Sequence, residues 1–224
     1  LCAVNLKKFN SNLIDPINLT FDRAVFQKSM QQLIEDEISR QRDKTATNVI
    51  GYFHQNIFRY FPNCVVPREG WDVIVTQKDG TKIYVEMKNK HNTMNAASSQ
   101  KTYIQMQNQI MQTPNDFCFL VEAIAPCSRN IPWGCSVNKI HCEHAHIRRV
   151  SMDQFYAIVT GETTAFFEMC MQLPKTIEKI VRQNRNLTVQ KDTVLEELQQ
   201  MHPDLQIALY QLAFATYDGF SLLK

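Results

Sequence analysis

No apolar run in the chain approaches about 18 residues, so a transmembrane helix is not expected. No secretory signal is visible near the start, and the opening Leu-Cys, without a Met, teaches nothing about targeting. Repeats and low-complexity segments are absent from the sequence. Charge of one sign is also scarce: 24 Lys and Arg stand against 22 Asp and Glu, a net +2. That is not the balance of a bulk nucleic-acid binder, so local charge matters more than the sum. The seven Cys are odd in number and irregularly spaced, with no C-x-x-C. Without a signal peptide they read as reduced thiols of a cytoplasmic protein. What is present, 44% hydrophobic and 21% charged residues over 224 positions, fits an ordinary globular chain. It is long enough for one domain, or one domain with a substantial helical extension. Nothing in it calls for a small-molecule cofactor.

The chemistry-bearing stretch runs from Gly70 to Lys101. Val, Ile and Tyr enrich two strands, expected over 71–77 and 82–88, and Asp79-Gly80 between them is a hairpin signal. A period of two puts Tyr84, Glu86 and Lys88 on one face of the second strand and Ile83, Val85 and Met87 on the other. An apolar strand that carries a carboxylate and an ammonium needs a reason, because buried charge is costly unless paired or metal-bound. Two turns are open. A three-residue loop, Lys78-Asp79-Gly80, sets Gln77 opposite Thr81 and therefore Asp72 opposite Glu86, with Cβ atoms roughly 5 Å apart. A two-residue loop sets Val73 opposite Glu86 and turns Asp72 away. The longer loop gathers Asp72, Glu86 and Lys88, and is the register expected. Facing carboxylates repel, and persist as anions only with a cation between them. Hard oxygen ligands with open positions suit Mg²⁺. A neighbouring lysine can hold or help deprotonate an attacking water and offset transition-state charge. The arrangement suits metal-assisted hydrolysis of a phosphodiester; the plain alternative is a surface hairpin with a cross-strand salt bridge.

Asp72, followed on the next strand by Glu86-Met87-Lys88, resembles the PD-(D/E)XK nuclease signature. The longer string VEMKNKHNTMN, with SSQKTY after it, resembles the type II restriction endonucleases that cut GGNCC-type sites, the AsuI specificity. The resemblance runs from about Val49 to Gly161 and is strongest between Gly70 and Tyr103, with Trp71 rather than Pro before the Asp. It implies an α/β (α+β) fold, a small mixed sheet flanked by helices. On that reading residues 1–224 form a single domain, with a nuclease core over about 44–161 and a helical extension over about 162–224. It further implies Mg²⁺-dependent cutting of double-stranded DNA at a short palindrome by a homodimer, leaving 5′-phosphate ends. Asp72, Glu86 and the Met87 carbonyl would hold the metal, and Lys88 would position or activate water. The rivals are a modification-dependent or repair nuclease of the same superfamily and a non-catalytic DNA-binding module organised by zinc.

The rest of the chain supports these elements. Leu1 to Thr20 is polar and Asn-rich, and is expected to be loosely attached. Thr20 is placed to cap a helix over 21–40, and a second helix is expected over 44–60, ended by Pro62. Glu35, Asp36 and Glu37 read as a solvated face, with a third metal ligand among them as the sharper alternative. His54 reads as a packed or surface residue. Beyond Lys88 the apolar period is lost, and a loop is expected. Its Asn89, Lys90, His91, Asn92 and Asn95 are types that read base edges or hold phosphates. A helix over 97–112 opens with Ser98, Ser99, Gln100 and Lys101. These offer a phosphate site at a helix N-terminus, or the serines merely cap. Phe117 to Ile124, apolar but for one Glu, is expected as a buried strand parallel to the Glu86 strand. Ala125 to Ile147 reads as a loop-rich insertion. Its Cys127, Cys135, His141, Cys142, Glu143, His144 and His146 are metal-ligand types without finger spacing, so zinc and a polar loop near DNA both stand. A short strand holding Arg148 and Arg149 follows. Then comes a helix opened by Ser151, with Gln154 in the capping-box position, and stopped by Gly161. From Thr163 the chain reads as helical, with a break at Pro174. Lys175, Lys179, Arg182, Arg185 and Lys191 form a basic run, read as a solvated face or a phosphate contact. Leu198, Leu205 and Leu209 belong to stripes that fill a core or form a dimer interface.

Overall fold

Alternating apolar residues build the sheet that carries the candidate chemistry. The computed structural model describes residues 3–183, 191–214 and 216–217. The chain runs through helices α1 (Leu6–Phe9), α2 (Pro16–Phe26) and α3 (Met30–Asn56), a 3₁₀ turn (Ile57–Tyr60), and strands β1 (Cys64–Val65), β2 (Val73–Thr76) and β3 (Lys82–Lys90). Helix α4 (Ala96–Gln112) leads to β4 (Phe117–Ile124), β5 (Asn130–Pro132), β6 (Cys135–Val137), β7 (Ile140–Cys142) and β8 (Ile147–Ser151). Helices α5 (Met152–Thr160), α6 (Ala165–Gln183), α7 (Val194–Met201) and α8 (Leu205–Phe214) complete it. Two compact units result, one of residues 47–179 and one of residues 1–46 with 180–224.

The unit of residues 47–179 holds a six-stranded mixed sheet of order β1-β2-β3-β4-β8-β5. β3, β4 and β8 are parallel, whereas β1, β2 and β5 pair antiparallel. One face packs Val73, Val75, Ile83, Val85, Met87, Phe119 and Val121 with Phe58 and Phe155. The other packs Cys118 and Leu120 with Tyr103, Met106 and Ile110 of α4 and with Trp133. The strand expected over 117–124 is present and parallel to β3, reached through α4 as a crossover. Tyr103, Met106 and Ile110 form the buried side of α4, whereas Met111 is exposed.

The β2–β3 turn decides the register. Val73 pairs with Val85 and Thr76 with Lys82. Gln77 donates to the Thr81 carbonyl at 2.8 Å, and Gly80 closes the loop with φ +87°. This is the three-residue loop, with the glycine in the left-handed conformation that other residues avoid. Extended by one pair, the register sets Asp72 across from Glu86.

Several expected loops are structured. β3 continues through Asn89 and Lys90, because the chain keeps pairing with β4 as far as Lys90 and Ile124. The 125–147 insertion contains β5 and the β6–β7 hairpin, where Cys135 faces Cys142. His144 and His146 lie in the turn before β8 rather than on a strand. The ring of His146 stacks on Phe117, with centroids 4.4 Å apart.

The other unit closes around Val4, Phe9, Leu19, Leu33, Ile34 and Ile38 from one end of the chain and Val194, Leu198, Ala208 and Leu209 from the other. The segment before Thr20 is therefore not loose: Val4 and Phe9 are buried, and the Val4 amide donates to Asp192 at 2.8 Å. Asp15, not Thr20, caps α2, accepting from the Ile17 and Asn18 amides. Gln27, with φ 52°, separates α2 from α3. No Pro or Gly lies between Arg40 and Lys44, so the two helices expected over 21–40 and 44–60 meet in one α3. α6 runs through Pro174; none of its residues is buried, so water can reach a carbonyl that the proline leaves unpaired. Arg185 lies outside the described residues. No helix among the described residues is long and apolar enough to cross a membrane.

Candidate active site

Tyr84, Glu86 and Lys88 share the sheet face that α4 covers, and Glu86 and Lys88 sit towards the carboxyl ends of β3 and its parallel neighbour β4. Carboxyl ends of parallel strands are where open α/β sheets bind ligands. Asp72 enters from the start of β2. Its Oδ2 accepts the Met87 amide at 2.6 Å, and its Oδ1 accepts Gln55 Nε2 of α3 at 2.8 Å. Lys88 Nζ donates to Glu86 Oε1 at 2.6 Å. All three charged side chains are partly buried. Burial, with the negative charge of Glu86 adding to it, pushes the Asp72 carboxyl up to about 6, against the pull of the Met87 amide and Lys88.

That electrostatic state bears on a metal. Glu86 opposes the ionisation of Asp72, and the facing pair is a hard-oxygen donor set that a divalent cation would relieve. The carboxylate oxygens of Asp72 and Glu86 are the donor type that Mg²⁺ takes. Among the described residues no group of three or more His, Cys, Asp or Glu is placed to hold a metal. Glu37 bonds Arg40 and Gln41, Asp36 bonds Lys28, and Glu35 bonds Gln31.

The expected DNA-facing residues divide. Lys88, Lys90, Asn92, Ser99 and Arg149 line one small polar pocket with Trp133. Asn89 falls on the Met87 side of β3 by alternation. Asn95, rather than Ser98 or Ser99, caps α4, accepting the Ser98 amide at 2.8 Å. Gln100 donates to Asn138 at 2.9 Å, and Ser98 and Lys101 are exposed. His91 turns Nδ1 towards Glu122, Arg129 and Arg149.

That last cluster went unread in the sequence, as did Gln55. Glu122 is the one carboxylate of an apolar run, and its side chain is only 2% exposed. Burial raises its pKa, but hydrogen bonds from Arg149 and Arg129 outweigh it and hold the carboxyl below its ordinary value. The available signal was that single buried charge, which must find partners.

A family model described as Eco47II restriction endonuclease matches residues 1–182. The chain belongs to the Eco47II restriction endonuclease family. It is also 30% identical over 191 residues to the type II restriction enzyme Sau96I of Staphylococcus aureus, covering 82% of this chain and 73% of that protein. The type II restriction enzyme Eco47II of Escherichia coli is 29% identical over 191 residues, covering 78% of this chain and 76% of that protein. As an Eco47II-family member the protein is a type II restriction endonuclease, an enzyme that cuts DNA, and the match takes in the whole hairpin with Asp72, Glu86 and Lys88.

Proposed function

We propose that this restriction endonuclease has a PD-(D/E)XK core and cuts double-stranded DNA with Mg²⁺ at a short palindrome of GGNCC type. The observation that carries the reading is the Asp72–Glu86 register, with Lys88 hydrogen-bonded to Glu86 and Asp72 fixed by the Met87 amide. Asp72, Glu86 and the Met87 carbonyl would hold the ion. Bound there, Mg²⁺ supplies Lewis-acid polarisation of the phosphodiester and a water of lowered pKa. Gln55 and the Met87 amide keep the Asp72 carboxylate in one orientation. Lys88 holds the attacking water, takes part in its deprotonation and offsets negative charge on the phosphorus oxygens. Lys90, Asn92 and Ser99 line the adjoining pocket and would hold the DNA backbone. The 5′-phosphate product, the GGNCC site and the cytoplasmic setting are carried from the family resemblance. A palindrome cut on both strands calls for a homodimer, because site symmetry mirrors protein symmetry.

The deciding experiment is digestion of unmethylated phage DNA by the native chain and by Lys88→Ala, with and without Mg²⁺. Discrete Mg²⁺-dependent bands from the native chain, lost in the variant, support the reading, and sequenced ends give the site. Bands that survive in the variant would remove Lys88 from the mechanism. Sedimentation with and without a cognate duplex tests the dimer.

A further inference from the structure

Lys88 pairs with Glu122 in the β3–β4 register, so both side chains leave the same face of the sheet. Both oxygens of Glu122 are taken by guanidinium groups. Arg149 of β8 reaches Oε1 through Nε at 2.7 Å and through Nη2, and Arg129 Nη2 binds Oε2. His91 Nδ1 lies 2.8 Å from Arg149 Nη2 and 3.1 Å from Arg129 Nη2. The same ring nitrogen lies 3.1 Å from Glu122 Oε1. The cluster thus sets two permanent cations against one carboxylate, with one positive charge left over.

That surplus faces the active site. Arg149 lines the same pocket as Lys88, Lys90, Asn92 and Ser99. Its Nε and Nη2 are engaged, and among the described residues Nη1 has no side-chain hydrogen bond. Glu122 lines the pocket too, but both its oxygens are held by Arg129 and Arg149, so two lysines, a guanidinium edge, an amide and two hydroxyls are left to meet an oxyanion, and an arginine fork matches phosphate geometry.

We propose that Arg149 binds a DNA phosphate next to the scissile bond, and that Glu122 is the positioning residue that fixes the guanidinium there. The proposal rests on the nuclease reading of Asp72, Glu86 and Lys88. Arg129 shares the charge of Glu122, so Arg149 is not fully neutralised by it.

The test uses the full chain and a short GGNCC duplex in Ca²⁺, with affinity measured by fluorescence anisotropy across a KCl series. The variants are Arg149→Lys, Arg149→Gln and the double variant Glu122→Gln/Arg149→Gln, which removes the buried charge together with its partner. Loss of one phosphate contact should make the slope of log K against log salt shallower by about 0.9 in Arg149→Gln and in the double variant. Arg149→Lys should keep the slope but bind more weakly, and Mg²⁺ cleavage by the Gln variants should fall roughly 100-fold. If Arg149→Gln does not fold, the double variant carries the result. A native slope in a folded double variant, with native cleavage intact in the wild-type chain, overturns the Arg149 assignment alone. Absence of cleavage by the wild-type chain in Mg²⁺ counts instead against the nuclease reading on which it rests.

Discussion

Asp72 is held by two hydrogen bonds yet is hard to ionise, because burial and Glu86 outweigh the Met87 amide and Lys88. Its folded-state value of about 6 lies above the ordinary aspartate value of 3.8. The sign follows: in the metal-free protein the Asp72 contribution to stability is full below about pH 4 and is lost as pH rises through 6. Mg²⁺ competes with that proton, so saturating Mg²⁺ should raise the unfolding temperature more at pH 7.5 than at pH 5, and Asp72→Asn should erase the difference. Calorimetry at the two pH values checks this; equal shifts in the native chain would remove Asp72 from the metal site. Glu86→Gln should lower cleavage by about 100-fold or more while DNA binding in Ca²⁺ persists, which single-turnover assays read directly. Glu122→Ala belongs to a different class. It strands two guanidinium groups around a vacated buried position and should cost about 3–5 kcal/mol in a denaturant melt.

At the scale of elements, the β2–β3 hairpin carries the site because its turn fixes which residues face each other. Gly80 has φ +87°, and a Cβ built on it would meet nothing within 4 Å. Gly80→Ala should therefore cost only the backbone strain, about 1 kcal/mol, with cleavage retained in the folded fraction. Deleting Gln77 is the sharper test: with the three-residue loop kept, Thr76 falls opposite Thr81, the pairing shifts by one and Trp71 comes opposite Glu86, so cleavage should vanish although the hairpin can still form. This element was legible in the sequence because every cue is local: alternation, Asp79-Gly80 and the spacing of Asp72 to Glu86. β4 and the buried face of α4 were legible for the same reason. The Glu122 cluster was not, because its partners are far apart in the chain, His91 just after β3, Arg129 just before β5 and Arg149 on β8, and only the sheet order joins them. Asn95 displaced Ser98 as the cap of α4 because the helix begins one residue earlier than the apolar spacing suggested. The hairpin within 125–147 pairs strands of only three residues, too short for alternation to register.

At the scale of the whole molecule, the catalytic candidates all lie within residues 47–179, whereas the second core needs both flanks of the chain. Asp192 ties the two flanks, binding the Val4 amide and Arg42. Removing residues 192–224 should therefore expose Phe9, Leu33 and Ile34. Hydrogen exchange should then show α1 and the first half of α3 losing protection while β3 and β4 keep theirs. Equal loss in both units would show that they unfold as one. The sequence suggested a helical extension over about 162–224; within it α7 and α8 pack with the opening helices, a pairing that no local pattern encodes.

The interleaving of the two units has a consequence for a ribosome. The strands that bear Asp72, Glu86 and Lys88 are complete once Lys179 is made, but Val4, Phe9 and Leu33 must wait for Val194, Leu198 and Leu209. At about 5–20 residues per second that gap of about 30 residues lasts roughly 2–6 s. For that interval the sheet of the nascent chain is complete while Val4, Phe9 and Leu33 have no core to enter, and such transiently exposed apolar surface is what chaperones cover.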